Sequence, residues 1–420
     1  MKAFDLIEGI RNHEYDDQFT ELYSDIEKQK KRYIDLISKY AELYGDDNVQ
    51  IFSAPGRSEI GGNHTDHQHG KVLACAIDLD MVCVLSFTDD GIVELTSEGF
   101  GTSIVDLNDL KVKEEEKGTS ASLIRGIAYS FKKKGLAIKG FKAFMVSDVL
   151  GGSGLSSSAA FESLIGTIFS KGLNDGTVND IEIARIGQYA ENVYFGKPCG
   201  LMDQMAASCG GFVYIDFKDE PKVEKIDFNL SEYGYRLCVI DTRASHASLT
   251  DEYASIPLEM KLIAAYFGKE YLSEINEEEF YENISELRKL NNDRAILRTH
   301  HFLSENKRVP LMAKALKNKD IDTFFKFVKR SGDSSYKYLQ NIYASDNPYI
   351  QEISLGLALI EKFLDGKGAY RVHGGGFAGT VQAYVKEEDI ESFKELMEMV
   401  FGKDCVYVLN IRKSGAIRFI

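Results

Sequence analysis

The chain reads as a mixed helix-and-sheet protein of two closely packed halves, and three observations carry that reading. Strand and helix patterns alternate from Asn48 to about Asp227, with residues 82–87, 140–149 and 212–217 rich in the types that favour a pleated surface. A strand at 236–241 then opens a helix-rich half. Its spacing predicts helices over 277–299, 309–330 and 349–364, and late strands at 372–385 and 405–411 around a helix at 390–401. Only six prolines occur in 420 residues and no Pro- or Ser-rich linker appears, so the halves are expected to touch. The expected divisions are 1–45, 46–235 and 236–420.

Residues 1–45 are expected to be helical, with Leu22, Ile26, Tyr33, Ile37, Tyr40 and Leu43 forming an apolar stripe that packs on the body. The basic run KQKKR at 28–32 shares its helix with acids and reads as a solvated face. A hydrophobic content of 44% is enough for two cores. The net charge of −15 argues against nucleic acid or an anionic membrane as partner. No apolar run reaches transmembrane length and the first residues, MKAFDLIE, lack a signal-like apolar core, so the protein is expected to be cytoplasmic, as a monomer or weak homodimer. Cys75, Cys83, Cys199, Cys209, Cys238 and Cys405 form no Cys-x-x-Cys pair and read as reduced thiols.

Four segments carry chemistry. Residues 54–70, APGRSEIGGNHTDHQHG, set an arginine, an aspartate and three histidines among four glycines. Glycines admit a ligand close to the backbone, and Arg57, His64 and Asp66 can hydrogen-bond a small hydroxylated molecule. A tight polar turn is the plainer alternative, and a zinc cluster is disfavoured because one loop offers no recognised ligand framework. Residues 150–162, LGGSGLSSSAAFE, put glycines and serines at a helix start, where free N–H groups and the helix dipole suit phosphate. The loop is neither a Walker loop nor a dinucleotide fingerprint, and a serine-capped helix is the alternative. Residues 190–211 place Glu191 and Asp203 in apolar surroundings, where carboxylates need partners. Residues 372–385, VHGGGFAGTVQAYV, are a triple-glycine turn running into a strand.

Taken in order, these four segments resemble the GHMP kinases (galactokinase, homoserine kinase, mevalonate kinase and phosphomevalonate kinase), and galactokinases above all, over roughly residues 48–415. The resemblance implies an α+β fold of two domains with the active site in the cleft between them. It also implies ATP as co-substrate, Mg2+ as cofactor, and transfer of the γ-phosphate to the anomeric hydroxyl of galactose. Residue by residue, it makes Asp203 and Arg57 catalytic, and Asn63, His64, Asp66, Gly200 and Tyr253 sugar-binding. Gly152, Ser153, Gly154, Leu155, Ser156, Ser157 and Ser158 become the ATP cradle, and Ser158 and Glu191 the magnesium ligands. These types suit phosphoryl transfer, which depends on positioning and charge neutralisation.

Departures from the family pattern concern the sugar. The signature usually reads Gly-Arg-x-Asn-x-Ile-Gly-Glu-His-x-Asp-Tyr; here Glu59 holds the Asn position, Asn63 the Glu position and His67 the Tyr position. The family's glutamate accepts from the sugar's C6 hydroxyl. Asn63 would remove its charge, and discrimination between galactose and galacturonate is expected to be weak or reversed. Asp66, His67 and Gln68 also resemble galacturonokinases. Some galactokinase-like proteins are non-catalytic sugar and ATP sensors; here Ser156 to Ala160, Arg57 and Asp203 are all retained, which favours catalysis.

Overall fold

A computed structural model describes residues 1–149, 154–244 and 249–420. Its centre is the strand Lys71–Thr88, whose β-branched run pairs along one side with Gln50–Gly61. On its other side the first half of that strand pairs with Phe212–Asp216 and the second half with Gly140–Ser147. The sheet extends outward through Ile92–Ser97 and Gly101–Asp106 at one edge, with Lys222–Ile226 pairing on Phe212–Asp216. The chain's last strand, Ile417–Arg418, returns to pair with Phe52 and Ser53 at the opposite edge.

Side-chain alternation sorts this sheet into two faces. Ile51, Val82 and Val84 pack with Ala3, Leu6, Phe19, Tyr33 and Ile37 from the helices Ala3–Arg11, Asp16–Leu22 and Ile26–Tyr44. Their neighbours Phe52, Cys83 and Leu85 face the opposite way, onto the helix Ser157–Leu173 and its neighbours. The expected stripe ends early, since Leu43 is exposed. The expected solvated run at 28–32 is also corrected. Lys30 is 5% exposed, and Arg32 reaches across to Asp80 at 2.7 Å.

A second, antiparallel sheet runs in the order Val406–Leu409, Tyr235–Asp241, Thr380–Lys386 and Ala369–Val372. Leu237 and Val239 join the main core, whereas Cys238 and Ile240 face Ile360 and Phe393 of the helices Glu352–Leu364 and Ile390–Phe401. The helix predicted over 277–299 is three helices, Glu277–Glu282, Ile284–Leu290 and Asp293–Lys317. Asn276 and Asn292 cap the first and last, each accepting a backbone N–H, and such side chains favour helix starts over helix interiors. Asp320 likewise starts Ile321–Ser334, which divides the segment predicted over 309–330. No helix among the described residues is long and apolar enough to cross a membrane.

Candidate active site

Two β-bulges interrupt the pairing of Gln50–Gly61 with Lys71–Thr88, between Pro55 and Arg57 and between Glu59 and Gly61. Bulges bend a strand and re-aim its side chains. Between them the register is regular, so Arg57 and Glu59 share one face. The Arg57 guanidinium grips Asp203 with two bonds, Nε to Oδ1 at 2.7 Å and Nη2 to Oδ2 at 2.6 Å. Its remaining nitrogen donates to the Gly154 carbonyl, and its backbone N–H donates to the Leu155 carbonyl at 3.1 Å. The arginine therefore ties the strand to the end of the glycine loop and to the catalytic candidate at once.

Asp203 lies in the first turn of the helix Met202–Cys209 and also accepts from Ser156 Oγ at 2.7 Å. Burial works to raise its pKa, but Arg57 and Ser156 outweigh burial and hold the carboxyl below its usual range. Ser156 has a φ of +60°, a strained conformation that aims its hydroxyl at Asp203 rather than capping Ser157–Leu173. Gly154 is needed beside it, because a Cβ there would lie 2.8 Å from Thr380 Oγ1. Gly152 and Ser153 lie outside the described residues.

These groups open on a cavity of about 250 Å3 lined by Arg57, Glu59, His64, Asp66, Gly200 and Asp203, among others. His64, at φ +57°, donates Nε2–H to the Gly375 carbonyl at 2.9 Å, which leaves Nδ1 as an acceptor. Burial and the neighbouring His67 pull its pKa down to about 3, so the ring is neutral. Gly200 closes on Asp66 so tightly that a methyl group there would overlap the carboxylate. Tyr253 lies under the late turn, its hydroxyl donating to the Gly376 carbonyl at 2.7 Å and its ring 2.6 Å from where a Cβ on Gly375 would sit. The three histidines do not converge, since His69 stacks on Tyr271 at 3.6 Å.

Asn63 is a correction. Its side chain is fully buried behind the cavity wall, where Nδ2 donates to Gly374 O at 2.8 Å and to Glu59 Oε2 at 3.2 Å. Its Oδ1 accepts from Asn341 at 2.8 Å and Ser335 at 3.2 Å, so the amide has no capacity left for a sugar hydroxyl. The cavity-lining residue at this corner is Glu59, which the sequence alone did not assign to the site. Burial lifts the Glu59 carboxyl above its usual value, against the charges of Arg371 and Arg57.

Ser157 and Ser158 border a second cavity, about 300 Å3, walled by Met81, Leu123, Met145, Phe161 and Phe195 with Phe100 at its rim. Its apolar lining beside a helix N-terminus suits a planar base attached to phosphates. Glu191 lies on the π-helical turn Ala190–Phe195, 3% exposed, accepting from Gln204 at 2.9 Å with Lys197 at 3.7 Å. Among the described residues no group of three or more His, Cys, Asp or Glu is placed to hold a metal. Ser158 and Glu191 are hard oxygen donors of the kind Mg2+ accepts when phosphate and water complete its shell.

An Arg-clamped aspartate, a glycine-serine loop at a helix start and a late glycine turn in this fold define a small-molecule kinase of the GHMP class. The GHMP kinases N-terminal domain matches residues 122–211, and the galactokinase galactose-binding signature matches residues 38–87. A galactokinase of Actinobacillus pleuropneumoniae serotype 3 (strain JL03) is 31% identical over 363 residues, 86% of this chain and 91% of the relative. A galactokinase of Streptomyces coelicolor is 28% identical, covering 87% and 92%. The fold is shared with Lactococcus lactis galactokinase complexed with galactose, at a TM-score of 0.77 and 24% identity over 91% of this chain and 98% of that one. The chain belongs to the galactokinase family, whose members are ATP-dependent sugar kinases.

Proposed function

We propose that this protein transfers the γ-phosphate of ATP to the anomeric hydroxyl of galactose, giving galactose 1-phosphate. The observation that carries the proposal is Asp203, clamped by Arg57 and Ser156 and facing the polar cavity from beside the helix Ser157–Leu173. His64, Asp66 and Gly200 would bind the sugar, with Tyr253 supporting the late turn. Gly154 to Ser158, with Gly152 and Ser153 before them, would cradle the phosphates, and the apolar cavity would take the adenine. A carboxylate held this acidic stays ionised at neutral pH and is a weak base. Asp203 would therefore orient the anomeric hydroxyl and accept its proton late, as the oxygen–phosphorus bond forms. Arg57, shared between Asp203 and the loop, would meet the transferring phosphoryl group.

Mg2+ neutralises charge on the β- and γ-phosphates when bound, and Ser158 and Glu191 are the residues that would hold it. ADP release with galactose tests the main reading, and absence of turnover with bound ATP would overturn it. Ser158→Ala and Glu191→Gln should each shift the magnesium titration to higher concentration. An unchanged titration in both would remove them from the site.

A further inference from the structure

We propose that Glu59 is a specificity residue of this chain, a carboxylate on the sugar cavity's wall that selects neutral sugars over sugar acids. The inference rests on the sugar-kinase reading above and goes beyond it. Glu59 stands two residues from Arg57 on an unbroken stretch of register, Arg57 opposite Ala76 and Glu59 opposite Ala74, so both side chains project to one side. It lines the same cavity as Arg57, His64, Asp66 and Asp203.

Two buried groups fix its orientation. Arg371, 0% exposed, donates Nη2 to Glu59 Oε1 at 2.8 Å, and Asn63 donates to Oε2 at 3.2 Å. Each carboxylate oxygen accepts about two hydrogen bonds, so capacity remains for a hydroxyl arriving from the cavity. Asn63 has none, as its four amide bonds are made behind the wall. Compared with the family signature, the amide and the carboxylate have exchanged positions, and they now bond each other. The acidic group absent from position 63 is supplied from the strand by Glu59.

The charge balance then decides substrate class. Glu59, Asp66, Asp203 and Lys197 line the cavity; the Arg57 guanidinium is committed to Asp203, and the fully buried Arg371 balances Glu59 at 2.8 Å from outside the lining, so the carboxylate is the nearer charge to a bound sugar. A uronic acid would bring a further negative charge beside Glu59, a repulsion that Arg371 partly offsets, on the order of tenfold in binding. This reverses the expectation of weak or inverted discrimination drawn from Asn63.

The test is kcat/KM for galactose and galacturonate in the wild type, Glu59→Gln and the double variant Glu59→Gln with Arg371→Gln, which removes both buried charges together. The wild type should favour galactose by about tenfold. Glu59→Gln, which leaves the Arg371 charge uncompensated, should bring that ratio to about one or below while raising KM for galactose. A wild type that prefers galacturonate, or an unchanged ratio in a folded variant, overturns the proposal. If Glu59→Gln melts early, the double variant is read in the same way. Inhibition of the wild type needs no variant: galacturonate should have a Ki well above the galactose KM, and a Ki at or below it overturns the proposal. Failure to phosphorylate galactose at all would overturn the function reading instead. The comparison then passes to whichever neutral sugar is turned over and its own uronic acid.

Discussion

Two arginine–aspartate clusters are built on neighbouring strands of the first sheet, and they differ in how they are closed. Asp80 is 0% exposed and accepts from Arg32 at 2.7 Å, from Arg412 at 2.8 Å, and from the hydroxyls of Tyr23 and Ser53. Asp203 has an equally good arginine, but 31% of its side chain is open, at the cavity proposed to bind the sugar. The closed cluster fastens chain segments: Arg32 comes from the helix Ile26–Tyr44, Tyr23 from the extended link just before it, and Arg412 from the segment leading to the final strand. The open cluster leaves one edge of its carboxylate for a substrate. Similar chemistry thus gives a closed anchor in one place and, in the other, the open carboxylate proposed to be catalytic.

The largest effect expected is on the open cluster. Arg57→Ala should lower kcat by roughly 10^3-fold, about 4 kcal/mol of transition-state stabilisation. Turnover within tenfold of wild type would break the distinction. At the closed cluster the loss should appear in folding. Asp80→Asn leaves the fully buried Arg412 without its counter-charge and Arg32 with Asp148 alone, and should cost about 3–5 kcal/mol in urea unfolding. Turnover per folded molecule should change little, and a stability loss under about 1 kcal/mol would mean the cluster is not an anchor.

The pH dependence sharpens the same contrast. The Asp80 carboxyl is held below its usual value, burial being outweighed by Arg32 and Arg412. A depressed folded-state pKa contributes stability that is fully present above the unfolded value near 3.9 and is lost as pH falls through the folded one. Unfolding free energy should therefore fall steeply below about pH 4, and less steeply in Asp80→Asn. Equal slopes in the two proteins would contradict the assignment. The smallest effect expected is Gly200→Ala. The methyl would displace the Asp66 carboxylate, raising the galactose KM about tenfold, near 1.4 kcal/mol, with kcat less affected. An unchanged KM would place Asp66 outside the sugar site.

Much of this site was legible because its parts are short motifs with strong local demands: glycines where backbones meet, serines at a helix start, and an aspartate needing a partner. Arg57 and Asp203, 146 residues apart, were matched to roles in sequence and stand within hydrogen-bond distance in space. Asn63 was expected at the sugar because signature position does not reveal a side chain's partners: its amide is saturated by Gly374, Ser335 and Asn341, 311, 272 and 278 residues away, together with Glu59. Lys30 and Arg32 looked solvated because helix composition is local, whereas Asp80 lies 48 residues beyond Arg32. The apolar cavity escaped notice for a similar reason, being assembled from Met81, Leu123, Met145 and Phe161, each unremarkable in its own segment. The helix boundaries near Asn283, Asn292 and Asp320 were missed because apolar spacing continues across a capping residue.

The most direct test of the account follows Asp203→Asn and wild type with galactose and ATP, reading product by phosphorus NMR and ATP binding by titration. The wild type should place phosphate on the anomeric oxygen with one ADP released per sugar. The variant should retain ATP binding and turn over at least about 10^3-fold more slowly. Near wild-type turnover by the variant, or phosphate on another hydroxyl in the wild type, would contradict the central claim that the Arg57-clamped Asp203 directs transfer to the anomeric oxygen.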